Sequence, residues 1–377
     1  MSDSAAAAAT ASVFARDSRE QSVLVADGYG LALTVDRGHL LIRDGLGRHR
    51  RDRRLPRAQR EVQRIIVLGH TGHVSLEAVR WCTDTGIALL QIDTDGRVLL
   101  TVAAPGKDDP RLRRAQAAAP NAPVGLEITR ALLGAKLAGQ TTVAADILHA
   151  PPIADTITRL AERLDAANTL PGCRDLEAQA SNAYFGAWSA AVTCCFAERD
   201  CDRVPARWQA FSGRGSQLHR GGRSPRDAAD PINALLNYGY ALAEAECRLA
   251  AQAVGLDPGL GIVHTDQKNR DSLALDLLEA LRPLVERQVL QLLDRRHFTT
   301  ADVHETRTGA CRLLPPLTHE LAEALPIYAA TVASFAEAVV HALAGSSPGK
   351  IALTTPLSRA NTVNAQTRGA GSAHRRH

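Results

Sequence analysis

Residues 264–284 read HTDQKNRDSLALDLLEALRPL. From Ser272 onward, Leu273, Leu275, Leu277, Leu278, Leu281 and Leu284 recur through a helical run and leave little of it free for solvent. Asp276 and Glu279 nevertheless stand inside that run. Helix positions three apart are separated by about 60° around the axis, so both carboxylates project from one face. Burying an unpaired carboxylate is expensive, and the pair therefore needs a cation. Either Arg282 supplies it as an ion pair with Glu279, or a metal ion does.

Outward from this helix the periodicity stays helical from about Gly125 to Ala344. LEITRALLGAKLAGQTTVAADIL, ADTITRLAERLDAAN, LEAQASNAYFGAWSAAVTCCFAE, PINALLNYGYALAEAECRLAAQAVG and HELAEALPIYAATVASFAEAVVHAL all space apolar residues by three and four. Upstream the pattern changes. Between Ser22 and Val102 short apolar runs alternate with Asp27-Gly28, Arg37-Gly38 and Asp95-Gly96, which read as hairpin turns. One helix interrupts them, capped by Ser75, with Leu76, Val79 and Cys82 apolar and Gly86 closing it. The fold class is α+β: a β-rich domain over 22–104, a Pro- and Gly-bracketed linker over 105–123, and a larger all-α domain over 124–345. Residues 1–21 read as a flexible leader and 346–377 as a disordered basic tail.

Composition narrows the class. Of 377 residues 45% are hydrophobic but only 4% aromatic, so the core is built from Leu, Val, Ile and Ala. No uninterrupted run approaches the roughly 18 apolar residues of a membrane span, and the leader lacks a basic n-region. The expectation is a cytoplasmic protein. Seven cysteines without a C-x-x-C pair argue against disulfides and structural zinc; Cys194, Cys195 and Cys201 read as packing in an apolar stretch.

The net charge of +4 hides segregation. Residues 43–64 carry a local excess of +6 and residues 203–226, with Arg207, Arg220, Arg223 and Arg226, another +6; the tail from Ser346 adds +5, which leaves −13 on the rest. Such clusters are the footprint of a polyanion binder, although 40 Arg against four Lys is also a compositional bias. Two more candidates complete a site. His264 ends the apolar stretch GLGIV, which suits a hydrogen-bonded structural histidine or a ligand. Glu177 sits in LEAQASNAYFGAW, where by itself it reads as an ordinary helix-surface Glu. Two carboxylates and a histidine would suit Mg²⁺ or Mn²⁺, but composition cannot bring them together.

A resemblance can. His264, Ser272, Leu273, Asp276, Leu277, Glu279, Arg282 and Pro283 match the signature of the CRISPR-associated adaptation integrases, the first family of the numbered Cas series. Asp230, Pro231, Asn233, Ala234, Leu235, Leu236 and Tyr240 match that family's Asp-Pro-x-Asn-Ala-Leu-Leu helix start. Glu177, Tyr184 and Phe185 match its Glu followed by Tyr-Phe, and Lys136 and Gln140 fit its KLAGQ-like segment. The likeness covers roughly 22–344. It departs at Ala178, where the family has Gly, and near Asn182, where an Arg is expected.

The resemblance implies a metal-dependent DNA endonuclease and integrase that inserts short foreign DNA into a CRISPR array by transesterification. Glu177, His264 and Glu279 would hold Mg²⁺ or Mn²⁺, with Asp276 supporting them or replacing a ligand. Arg207, Arg220, Arg223 and Arg226 would contact duplex or branched DNA. A homodimer formed through the β-domains is implied, with two dimers bridged by a small ferredoxin-like partner, the second protein of the series. A related mobile-element transposase, a branched-DNA repair nuclease and a non-catalytic DNA-binding scaffold are the alternatives.

Overall fold

The runs RIIVL and ALLQI are apolar at nearly every position, as strands covered on both faces must be. In a computed structural model, which describes residues 23–346 except 46, 60, 70, 107, 216–217 and 219–226, they are the centre of one of two sheets. The strands are β1 (Val23–Asp27), β2 (Leu31–Asp36), β3 (His39–Asp44), β4 (Arg51–Leu55), β5 (Arg64–Leu68), β6 (Gly72–Val74), β7 (Ala88–Ile92) and β8 (Val98–Val102). The first sheet has the order β1-β5-β7-β8, parallel except for β8; the second has the order β4-β3-β2-β6. Alternate residues of the first sheet face two cores. Leu24, Ala26, Ile65, Val67 and Leu89 pack toward the second sheet, whereas Val25, Ile66, Leu90 and Ile92 join the core of the helical domain.

Arg37-Gly38 and Asp95-Gly96 do turn between antiparallel partners, β2 with β3 and β7 with β8. Asp27-Gly28 does not: β1 pairs in parallel with β5, and the chain crosses there from one sheet to the other. An Asp-Gly between apolar runs reports a reversal, not which strand pairs with which. The interrupting helix α1 (Leu76–Thr85) is capped by the Ser75 hydroxyl, which accepts from the Ala78 N–H, and closes at Gly86 with φ +74°. Its buried face is Ala78, Trp81 and Cys82, and Leu76 is exposed.

The helical part comprises α2 (Pro110–Ala118), α3 (Pro123–Asp146), α4 (Pro151–Asp165), α5 (Leu170–Ala191), α6 (Glu198–Cys201), α7 (Pro231–Ala253), α8 (Ser272–Arg295), α9 (Leu317–Ala322) and α10 (Leu325–Ser346). The 105–123 segment is thus not plain connector. It carries α2, whose buried Gln116 donates to the Asp257 and Leu260 carbonyls. The apolar run after Trp188 is helical only to Ala191. There β-branched Val192 takes extended geometry, and Thr193 and Phe196 form bridges to Ala210 and Phe298. A hairpin of β9 (Val303–Glu305) and β10 (Cys311–Leu313) lies between α8 and α9. The leader and the basic tail lie outside the described residues.

The Leu317–Ser346 stretch, with mean hydropathy 1.5, is long and apolar enough to cross a membrane by composition. In this fold Leu325, Tyr328, Val332, Ala336 and Val340 on α10 are buried in the core, and the helix packs on α7, α8 and α3.

α8 lies among α3, α7 and α10, which explains its leucine content. Its close approach to α3 depends on Gly139: a Cβ there would stand 2.6 Å from Cβ of Pro283. That crossing places residues one turn earlier on each helix, Lys136 and Glu279, against each other.

Candidate functional site

Asp276 is fully buried, and its carboxylate is used entirely by the loop ahead of α8. Oδ2 accepts the backbone N–H groups of Ile262 at 2.6 Å and Val263 at 2.9 Å. Oδ1 accepts the His264 backbone N–H at 2.9 Å and its Nδ1–H at 2.6 Å. With the ring proton fixed on Nδ1, Nε2 presents its lone pair outward. The His264 side chain is 32% exposed, and Nε2 stands 4.0 Å from Oε1 of Glu279.

Glu279, one turn further along α8, divides its oxygens between two cations. Oε1 accepts from Arg282 Nε at 2.9 Å and Oε2 from Lys136 Nζ at 2.6 Å. Lys136 also contacts Oε1 of Glu177 on α5, an oxygen that accepts the Ser181 hydroxyl at 2.6 Å. Burial alone would raise the Glu279 pKa, but Arg282, Lys136 and His264 hold it down to about 2. Burial alone would lower that of Lys136, but Glu279 and Glu177 raise it above the usual lysine range. Both groups are therefore charged at neutral pH. Arg282 in turn lies over the Tyr240 ring, 4.6 Å from its centroid, and Tyr240 donates to Oε1 of Glu286 at 2.6 Å.

The structure thus brings Glu177, Glu279 and His264 around one point from α5, α8 and the loop before α8. The Glu279–Arg282 ion pair is also present, so ion pair and ligand cluster are not alternatives. Asp276 has no oxygen to spare, which leaves it to orient the imidazole. Among the described residues no group of three His, Cys, Asp or Glu side chains is set to hold a metal as it stands, since the Lys136 ammonium lies between the two glutamates. The donor chemistry fits a hard divalent cation all the same: a cation already bridges the two carboxylates, and the free imidazole nitrogen faces the same space.

Lys136 entered the sequence reading only through the resemblance. A signal was there: it is a lone cation on the face of α3 that also presents Leu132, Leu133, Leu137 and Gln140, all buried. At the rim, Arg174 of α5 donates to Thr265 Oγ1 at 3.3 Å, and the loop after His264 carries exposed Lys268 and half-buried Arg270. The larger cavity, about 1000 Å³, lies elsewhere, between the sheets and the β10–α9 region, and none of the three ligand candidates lines it.

The arginines divide. Arg207 donates to the Ala229 carbonyl at 3.2 Å and pairs with Glu305; Arg220, Arg223 and Arg226 lie outside the described residues. In 43–64, Arg51 pairs with Asp27 and Asp44, Arg53 with Asp44, Arg57 with Asp84, and Arg64 with the buried Glu246. Much of that cluster therefore neutralises this chain's own acids.

A β-rich domain joined to a helical one that assembles two glutamates and a histidine defines a nucleic-acid-processing enzyme class. The model for CRISPR associated protein Cas1 matches residues 24–325, and the chain belongs to that family. It is 34% identical over 264 residues to CRISPR-associated endonuclease Cas1 2 of Rhodospirillum rubrum, covering 66% of this chain and 70% of that one. Among solved structures it is similar to a casposase bound to integration product, with TM-score 0.70, 23% identity and coverage of 89% and 94%. It also resembles a chain of a Cas6-RT-Cas1–Cas2 complex, with TM-score 0.65, 17% identity and coverage of 90% and 36%.

Proposed function

We propose that this protein joins short DNA to a CRISPR array by metal-dependent transesterification, with Glu177, Glu279 and His264 Nε2 holding Mg²⁺ or Mn²⁺. The observation that carries the reading is the convergence of two glutamates from separate helices on one ammonium, with the free nitrogen of His264 4.0 Å from Glu279. A bound divalent cation supplies Lewis acidity to the phosphoryl oxygens and lowers the pKa of the attacking 3′-hydroxyl. The chain's own groups prepare that centre. Asp276 fixes the imidazole tautomer, Arg282 keeps Glu279 ionised, and Arg174, Lys268 and Arg270 draw the DNA backbone to the mouth. Family membership and the likeness to a Cas1–Cas2 assembly support a small ferredoxin-like partner, a homodimer through the β-rich domain, two dimers per complex, and work in the cytoplasm. Arg207, with Arg220, Arg223 and Arg226, belongs to the DNA-contacting surface of this reading.

The likeness to a casposase keeps a transposase as the second reading. The test supplies branched DNA, a repeat array and the partner with Mg²⁺ or Mn²⁺. Joining at the array's leader end supports the integrase, joining without regard to the repeat supports the transposase, and undiminished activity in excess EDTA refutes both.

A further inference from the structure

Three helices meet at a single atom. Lys136 Nζ, on α3, contacts Oε1 of Glu177 on α5 and Oε2 of Glu279 on α8, the latter at 2.6 Å. The lysine is 5% exposed, and its stem lies on the α3 face that packs into the core. Two carboxylates that share one ammonium are close enough to repel each other strongly in so dry a setting. Arg282 offsets only Glu279, on the oxygen turned toward His264, and Ser181 gives Glu177 a neutral hydroxyl. Lys136 is therefore the one group shown bridging the two glutamates.

We propose that Lys136 is a built-in counter-cation that assembles the two glutamates before metal arrives and sets the metal concentration at which the site fills. The inference rests on the metal reading of Glu177, Glu279 and His264, which it deepens by naming what regulates loading. A fixed positive charge beside the ligands disfavours a divalent cation, and it also removes the penalty of leaving the carboxylates empty. Both effects weaken metal binding by stabilising the metal-free state. Site assembly is thereby uncoupled from metal supply: α3, α5 and α8 stay joined when the ion is absent, and loading becomes reversible.

The test uses the full-length protein without DNA and Mn²⁺ as probe, with free Mn²⁺ read by electron paramagnetic resonance and melting curves taken in EDTA and in saturating Mn²⁺. Wild type binds Mn²⁺ and Glu279→Gln does not; failure of that pair sinks the metal reading itself. Lys136→Met binds Mn²⁺ about tenfold or more tighter than wild type. It melts lower than wild type in EDTA and gains more on adding Mn²⁺. Lys136→Arg, which keeps the charge, stays near wild type in affinity. Unchanged or weaker Mn²⁺ binding by Lys136→Met, with wild type still binding, overturns the proposal and leaves the metal reading standing. If Lys136→Met does not fold, Lys136→Met combined with Glu177→Gln recovers folding in EDTA, because the cation and one anion leave together. A double variant no more stable than the single one overturns the proposal as well.

Discussion

Replacing Asp276 with Asn separates the role of this carboxylate from metal ligation. Four N–H donors converge on it at 2.6 to 2.9 Å, two on each oxygen. An amide offers one acceptor oxygen, so two of the four donors face an NH₂ group. Two orphaned buried donors at about 1 to 3 kcal/mol each, plus weaker bonds at the remaining oxygen, give a loss of about 3 to 5 kcal/mol. If the NH₂ points at Oδ1's position, His264 loses the partner that sets its tautomer. If it points at Oδ2's, the Ile262–Val263 turn loosens instead. Either way the imidazole is no longer held, and metal affinity should fall about 10- to 100-fold, as for other carboxylates that orient a liganding histidine. Urea denaturation measures the first quantity and Mn²⁺ titration the second. Stability within about 0.5 kcal/mol of wild type together with unchanged Mn²⁺ affinity would refute the reasoning.

Other outcomes follow from the same geometry. His264→Ala removes a partly exposed ring and should cost only about 1 kcal/mol of stability, while Mn²⁺ binding and DNA joining fall by orders of magnitude; a joining assay beside a melting curve checks it. Glu279, held at about 2 against an ordinary 4.5, contributes stability that is complete above pH 4.5 and lost as pH falls toward 2. Urea midpoints across that window should flatten in Glu279→Gln, which also leaves Arg282 without its carboxylate at a cost of about 3 to 5 kcal/mol at neutral pH. Arg64→Ala should destabilise by a similar amount, about 3 to 5 kcal/mol, because buried Glu246 loses its two-pronged partner. The dependence of DNA affinity on salt should not change in that variant; a shallower slope would mean that Arg64 meets phosphate. Gly139→Ala puts a methyl 2.6 Å from Pro283 and should cost about 1 to 3 kcal/mol by forcing α3 from α8. Its Mn²⁺ affinity reports whether that crossing also sets the distance from Lys136 to Glu279.

What the chain settles locally was legible before any coordinates. Periodicity marked most helices because apolar spacing along a helix is a property of neighbouring residues, and Ser75 and Gly86 capped α1 as their chemistry requires. The face shared by Asp276 and Glu279, and their need for a cation, follow from helical geometry alone. Pairing was another matter. Asp27-Gly28 has the composition of a hairpin, yet β1 finds its partner 41 residues on, in β5, because a parallel strand completes the buried sheet. The basic segment 43–64 looked like a surface for phosphate. Asp27, Asp84 and Glu246 lie outside it and reach it only through folding. Motif likeness nominated Glu177, His264 and Glu279, but their roles were decided by the tertiary contacts. The loop's N–H groups consume Asp276, and the contact of Gly139 with Pro283 brings Lys136 between two glutamates from other helices. Sequence fixes which side chains carry charge and where a helix can form; which charges meet depends on how closely helices distant in the chain can pack.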